Sequence, residues 1–121
     1  MTVSASLTLT REDATTTVVL ESPVLARRVL SEIAANLDEL GAETNPNPLV
    51  LASAHPTIFL AGAHLGEIAA LDRRSCAAYA RLGRSVADRL ASFPAAVVAA
   101  VQGSCSGGGF DLVMACDTVI A

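Results

Sequence analysis

The 121-residue chain contains no lysine and no tryptophan, and aromatic residues make up only 3% of it. With so few rings, the core has to be built from Ala, Val, Leu and Ile. All eight basic residues are arginine, set against twelve acids, for a net charge of -4. No basic stripe exists to neutralise phosphates, which argues against a nucleic-acid partner. Long apolar runs are also missing. The longest, residues 95–101, covers about a third of the roughly 20 residues that a membrane-spanning helix needs, so no membrane span is expected. The Thr- and Ser-rich start has no basic region followed by an apolar stretch, so no secretory signal is visible. Cysteine is scarce: Cys76, Cys105 and Cys116 form neither a CxxC pair nor an even disulfide set. A reducing, cytoplasmic setting is the plain expectation.

What is present is apolar substance, 52% against 17% charged, enough to exclude a disordered chain. The length allows one domain with one core, residues 1–121. Residues 5–10 and 15–20 are rich in strand formers, and the Arg-Glu-Asp-Ala between them reads as a hairpin loop. Ser22-Pro23 signals a helix start, with serine as N-cap and proline in the first helical position. Leu25, Val29, Ile33, Leu37 and Leu40 then form one apolar stripe, and Gly41 offers a stop. Residues 43–48, with two Asn-Pro steps, form a loop.

Residues 49–54 predict a short buried strand and 58–61 another. From about 74 to 93 a second amphipathic helix carries Tyr79, Leu82, Val86, Leu90 and Phe93 on one side, and Pro94 ends it. The apolar run 95–102, bounded by proline and glycine, suits a strand buried on both faces. The glycines at 107–109 lead into a short helix through about Cys116, and residues 117–121 begin another strand. Strands alternating with helices give an α/β class.

Two stretches carry a signature. The first is Phe59-Leu60-Ala61-Gly62-Ala63-His64-Leu65. The second runs from Val98 through Gln102-Gly103-Ser104-Cys105-Ser106-Gly107-Gly108-Gly109-Phe110-Asp111, followed by Ala115-Cys116-Asp117. Together they resemble the crotonase family of enoyl-CoA hydratases and isomerases, which carries F-x-A-G-A-D-L and then N-G-x-x-x-G-G-G-x-E and A-C-D, in this order and with a similar gap. The resemblance covers roughly residues 5–121, best from 49 onward. It implies the crotonase-like (ClpP/crotonase) ββα superhelix, N-terminal part only, with the family's C-terminal helices lacking a counterpart.

The resemblance also implies chemistry on an acyl-CoA thioester whose carbonyl oxygen gains negative charge as an enolate forms. Two main-chain N–H groups stabilise that oxyanion, by position those of Ala63 and Gly108. Residues 61–66, with Ala61, Ala63, His64, Leu65 and Gly66, would line the groove for the CoA moiety together with Gly108. No metal and no separate cofactor are implied, since coenzyme A enters with the substrate. A homo-oligomer, trimer or hexamer, is implied as well. The second acid of many hydratases would fall past Ala121, and the family's Asn-Ala-Leu element before the first helix is replaced by Glu21-Ser22-Pro23-Val24-Leu25.

The residue types suit this role. Glycine and alanine leave the backbone uncovered for close approach, and a helix start leaves N–H groups without intrahelical partners. Asp111 stands three residues after Gly108, on the same helical face, and helical side chains lean toward the N-terminus, which aims its carboxylate at the thioester for proton transfer. The family's hydratases usually place glutamate there; aspartate is one methylene shorter and leaves the reaction open.

Plainer readings stand beside these. The glycine triplet is also an ordinary strand-to-helix turn. Asp111 suits a first helical turn whether or not it handles protons. His64 contacts CoA phosphates or simply caps the loop, the second being simpler; His55 is a loop residue. Asp117 is a structural acid at a strand start, and Cys76 and Cys116 are small buried apolar side chains. Gly103-Ser104-Cys105-Ser106-Gly107 also fits a cysteine version of the nucleophile elbow of α/β-hydrolases, although no histidine follows His64. A catalytically silent chain that binds CoA thioesters or partner subunits is the other alternative. Cut from a larger core, these 121 residues are expected to expose apolar surface and to associate.

Overall fold

Alternating threonines and aliphatics at the start of the chain fold into an antiparallel hairpin. The computed structural model describes the backbone of residues 2–3 and residues 6–121 in full. Strand β1 (Thr2–Val3) lies against β2 (Leu7–Glu12), which pairs with β3 (Thr15–Leu20). Ala5, part of the expected first strand, lies outside the described residues. Arg11 and Glu12, expected in the loop, extend the strand instead, and the turn is only Asp13-Ala14, at φ 48° and 62°. Two positive φ angles in a two-residue loop match the right-handed twist of the flanking strands.

From the hairpin the chain should enter a helix at Ser22-Pro23, and here the structure differs. Val24–Leu25 is a two-residue strand, β4, and the helix α1 spans Arg27–Gly41 with Ala26 as its N-cap. Ser22 Oγ accepts from the Val24 N–H at 3.2 Å, so the serine closes a local turn rather than capping a helix. Tertiary pairing overrides the N-cap signal, because this segment is used as a strand partner further along the chain. The stripe itself is as expected: Val29, Ile33, Leu37 and Leu40 are buried.

The remaining elements are β5 (Leu49–Ser53), β6 (Ile58–Leu60), β7 (Gly62–Ala63), α2 (Leu65–Ala69), α3 (Arg73–Ala91), β8 (Val97–Ala100), β9 (Ser104–Cys105), α4 (Gly108–Met114) and β10 (Thr118–Ile120). Six strands form the main sheet in the order β1-β2-β3-β5-β8-β10, antiparallel at the hairpin and parallel from β3 onward. β4 pairs with β7, and β6 with β9, in two small parallel ladders beside it.

The inward residues alternate along each strand: Leu7 and Leu9, Val18 and Leu20, Leu49 and Leu51, Val97 and Ala99. They meet Ile33 and Leu37 of α1 and Leu90 of α3 over one face of the sheet. β8 is therefore buried on one face only. Val98 and Ala100 are half-buried, against the expectation of a strand covered on both sides. Phe59 is fully buried within this aliphatic core, one aromatic ring among Leu and Val.

α3 begins at a capping box that the apolar stripe does not reveal. The Ser75 N–H donates to Asp72 Oδ1 at 2.8 Å, and the Asp72 N–H donates to Ser75 Oγ at 2.9 Å, satisfying first-turn donors reciprocally. Arg89 holds α3 to α1 by two bonds to the Asp38 carboxylate, at 2.8 and 3.2 Å. Cys76, expected inside, is exposed, because the first turn of α3 stands clear of the core and only Val86 and Leu90 of this helix are buried. Cys116 is half-buried and its thiol donates to Leu112 O at 3.5 Å. Asp117 has the structural place expected of it: the Val97 N–H donates to its carboxylate at the start of β8.

Candidate active site

The two signature segments lie side by side. β6 and β9 run parallel, with Ile58 opposite Ser104 and Leu60 opposite Cys105. Beyond the ladder the Ser106 N–H donates to Leu60 O at 3.0 Å, and the Ser106 hydroxyl donates to Ala61 O at 3.4 Å. The glycines between them are spacers in the literal sense. A Cβ on Gly103 would lie 2.2 Å from Thr57 O, and one on Gly109 would lie 2.4 Å from Leu60 Cβ.

At the mouth of this seam the backbones meet with no side chains between them. Gly62 has φ +97°, and a Cβ there would stand 3.4 Å from the Gly108 nitrogen. Gly107, the N-cap of α4, has φ 58° and ψ -137°, conformations that L side chains rarely adopt. Ala63, one residue past Gly62, and Gly108, whose nitrogen is part of the contact, are thereby brought to adjoining backbones. The Gly109 N–H donates to Ser106 O and the Phe110 N–H to Gly107 O, both at 3.1 Å. Among the described residues no main-chain carbonyl accepts from the Gly108 N–H.

A third segment backs this pair, one that the residues alone did not reveal. β4 lies parallel to β7, with Val24 opposite Gly62 and Leu25 opposite Ala63, and the Ala61 N–H donates to Pro23 O at 2.7 Å. The Glu21-Ser22-Pro23-Val24-Leu25 stretch is thus the rear wall of the Ala61–Ala63 backbone. The proline costs nothing here because its carbonyl, and not its missing N–H, makes the bond.

Around the seam the other candidate residues are distributed as follows. Asp111 is exposed in the first turn of α4, flanked by Phe110 and Met114, which are 52% and 63% exposed. Its face is therefore open and largely apolar. His64 caps the five-residue helix α2, its Nδ1 accepting from the Glu67 N–H at 3.2 Å. Leu65 is 83% exposed, and Ala61, Gly66 and Gly108 are exposed too. An open cleft of about 410 Å³ lies against this segment, lined among others by Ser22, Val24, Ala26, Arg28, His64 and Glu67. Arg28, which sequence reasoning missed, is the cation of that cleft; nothing in its helical spacing distinguishes it from a solvated residue.

The elbow-like motif does not form an elbow. Cys105 lies within β9, and the positive φ of the turn falls two residues later, on Gly107. Burial pushes the Cys105 thiol up, whereas an activated thiolate needs the opposite shift. His55 is occupied as a cap, its Nδ1 accepting from the Thr57 and Ile58 N–H groups at 3.2 and 3.1 Å.

Known proteins share the sequence pattern and the fold. Residues 10–121 match the family described as Enoyl-CoA hydratase/isomerase. The mitochondrial methylglutaconyl-CoA hydratase of Mus musculus is 31% identical over 97 residues, covering 80% of this chain and 31% of that protein. The fatty acid oxidation complex subunit alpha of Shewanella halifaxensis is 38% identical over 86 residues, covering 70% of this chain and 12% of that one. The solved enoyl-CoA hydratase of Bacillus anthracis superposes with a TM-score of 0.91 at 26% identity, over 96% of this chain and 47% of its own. The 121 residues thus span about a third of the mouse relative and about half of the solved structure. With residues 10–121 matched and the α/β architecture superposing throughout, the chain belongs to the enoyl-CoA hydratase/isomerase family.

Proposed function

We propose that the chain carries the oxyanion half of an enzyme site acting on acyl-CoA thioesters, with the Ala63 and Gly108 main-chain N–H groups directed at the thioester oxygen. One observation carries the reading: the side-chain-free contact of Gly62 with Gly107 and Gly108, which sets the two donors on adjoining backbones. As the thioester loses an α-proton, or a nucleophile adds at the β-carbon, negative charge grows on that oxygen. Fixed donors stabilise it without reorganising. Asp111, one turn along α4 from Gly108, is the proton-handling group. The cleft beside His64 and Arg28 takes the CoA moiety, with Arg28 offering its charge to the phosphates. No separate cofactor is required, because coenzyme A arrives as part of the substrate.

The reading extends to the setting. The three cysteines are free, which fits a reducing compartment and supports a cytoplasmic location. No described helix is long and apolar enough to cross a membrane. Leu65, Phe110, Met114 and Ile120, all more than half exposed, favour association into a homo-oligomer, which sedimentation analysis would register as a species heavier than one chain.

The deciding experiment titrates the chain with crotonyl-CoA while following the heat of binding and the loss of enoyl absorbance together. Binding with turnover that Asp111→Ala abolishes supports the whole reading. Binding without turnover favours the silent CoA-thioester-binding alternative. A chain that binds no thioester at all sinks both.

A further inference from the structure

The donor strand at Ala63 is held on its rear side by a ladder only two residues long. β4 pairs with β7 through Val24 and Leu25 alone. Such a ladder fixes little by itself, since a two-stranded pair is marginal without outside support. The structure supplies two side chains from elements beyond the ladder, one bonded to β4 itself and one to the start of α1 just after it.

The first is Tyr79, in the second turn of α3. Its hydroxyl donates to Leu25 O at 2.6 Å across 54 residues of sequence. Leu25 is the residue directly opposite Ala63. The second is Glu67, in the five-residue helix that follows Ala63. Its Oε1 accepts from the Arg27 N–H at 2.8 Å, where β4 gives way to α1. A closed ring results: Ala63, His64 with its cap onto Glu67, the Glu67 carboxylate, Arg27, and Leu25 back to Ala63. The two side chains also sense one another. The phenol of Tyr79 is pushed up by its burial and then by the nearby Glu67 carboxylate, with Arg27 opposing.

We propose that Tyr79 and Glu67 are positioning residues for the Ala63 main-chain N–H, acting through the Val24–Leu25 strand. The inference rests on the reading of Ala63 as an oxyanion donor. An N–H that stabilises developing charge has to sit within a few tenths of an ångström of its place, and such placement comes from the shell behind the donor. Tyr79 sets how far Leu25, and with it the Ala63 peptide, stands from α3. Glu67 fixes the start of α1, two residues after Leu25. Tyr79 does not line the cleft proposed for the CoA moiety, whereas Glu67 does, so the Tyr79 variant is the one that reads positioning apart from binding.

The test separates positioning from simple stabilisation. The probe is acetoacetyl-CoA, whose C2 proton is lost to solvent on enolisation, leaving an enolate with its own absorbance. Butyryl-CoA, which does not enolise appreciably, reports binding alone. In the 121-residue chain, Tyr79→Phe lowers the enolate-to-keto ratio of bound acetoacetyl-CoA about tenfold, while the Kd for butyryl-CoA moves by less than about twofold. Glu67→Ala acts in the same direction. Glu67→Gln, which keeps an oxygen able to accept from the Arg27 N–H, recovers most of that loss. An enolate ratio unchanged in both Tyr79→Phe and Glu67→Ala overturns the proposal. So does a fall in butyryl-CoA affinity in Tyr79→Phe as large as its fall in enolate, which would mark a general loosening of the fold. A wild-type chain that binds butyryl-CoA but yields no enolate signal overturns the oxyanion reading itself, and the positioning role with it.

Discussion

Val97 and Asp117 hold each other by main chain and side chain at once: the Val97 N–H donates to Asp117 Oδ2 at 2.7 Å, and the Asp117 N–H donates to Val97 O at 2.9 Å. The pair locks the end of α4 to the beginning of β8 and so sets where the parallel β8–β10 register starts. The carboxylate bond is charge-assisted, and its acceptor caps an N–H at the edge of the core. Asp117→Ala is expected to lower unfolding stability by about 1–3 kcal/mol. A denaturant midpoint unchanged by the substitution would show that the bond contributes nothing net.

Gly108 separates its N–H from its shape. A Cβ there would meet only Leu25 Cδ1, at 3.9 Å, an ordinary contact. Gly108→Ala therefore keeps the donor and is expected to keep most of any thioester turnover. Gly108→Pro removes the donor at the first helical position, where proline is tolerated. Turnover is expected to fall about 10²–10³-fold, with the thermal midpoint little changed. Equal activity in the two variants would dismiss Gly108 as an oxyanion donor.

Gly103 is a test of the seam alone. The Cβ of Gly103→Ala would stand 2.2 Å from the Thr57 carbonyl oxygen and 2.5 Å from its carbon, both backbone, so no side chain can swing away. The β6–β9 ladder has to part, at a cost of about 1–3 kcal/mol or more. Chemical denaturation of the variant measures it directly.

Ala14 occupies a conformation that alanine disfavours, φ 62° in the second central position of the hairpin turn. Asp-Gly is the preferred pair for such a turn, and Ala14→Gly is expected to stabilise the chain by about 0.5–1 kcal/mol. A destabilised variant would mean that the added freedom of the unfolded chain outweighs the relieved strain.

Stability should fall away at both ends of the pH scale. The Asp38 carboxyl is held low by its bonds to Arg89, Glu43 by those to Arg11, and Asp72 by those to Ser75. Groups lowered in the fold contribute above their ordinary values of 3.8 to 4.5, and the contribution is lost as pH drops through the folded values. Burial, then the charge of Asp117, pushes the Cys116 thiol from 9.0 up to about 11. There the unfolded chain releases its proton first, so stability declines as pH rises from about 9 toward 11. Cys116→Ala is expected to make that alkaline limb shallower in a series of denaturant melts, leaving the part due to the raised Cys105 thiol and Tyr79 phenol, and to leave the acid limb alone.

Which features could be read from sequence follows from how far each signal reaches. The stripes of α1 and α3 repeat over four or five turns, and the burial of Val29, Ile33, Leu37, Val86 and Leu90 follows the expected spacing. Both signature segments were legible because each carries a dense string of small residues whose spacing leaves few alternatives. The start of α1 was misplaced because Ser22-Pro23 has the local chemistry of a cap, while the competing claim on it comes from Ala61 and Gly62, far along the chain. α2 and β9 were missed for want of length: five and two residues give periodicity nothing to repeat. The half-exposed face of β8 looked buried because alanine and valine are apolar on either face, and only the placement of α1 and α3 decides which one is covered.

The bonds that assemble the site join residues 40, 45 and 54 positions apart: Arg27 to Glu67, Ala61 to Ser106, Leu25 to Tyr79. None of them is formed within a helix or a hairpin, so each waits for the chain to close a long loop before it is rewarded. The site shares that dependence with the core, whose Leu49–Val97 pairing and Asp38–Arg89 bond join equally distant parts of the chain. Its ladders of two and three residues, set beside the main sheet rather than within it, would open while the core remains shut. Hydrogen exchange at the Gly62, Ala63 and Cys105 amides would run ahead of exchange at Val18, Leu51 and Ala99. The place proposed to meet substrate is thus also the place expected to open first, and a bound thioester would have the most to gain by holding it together.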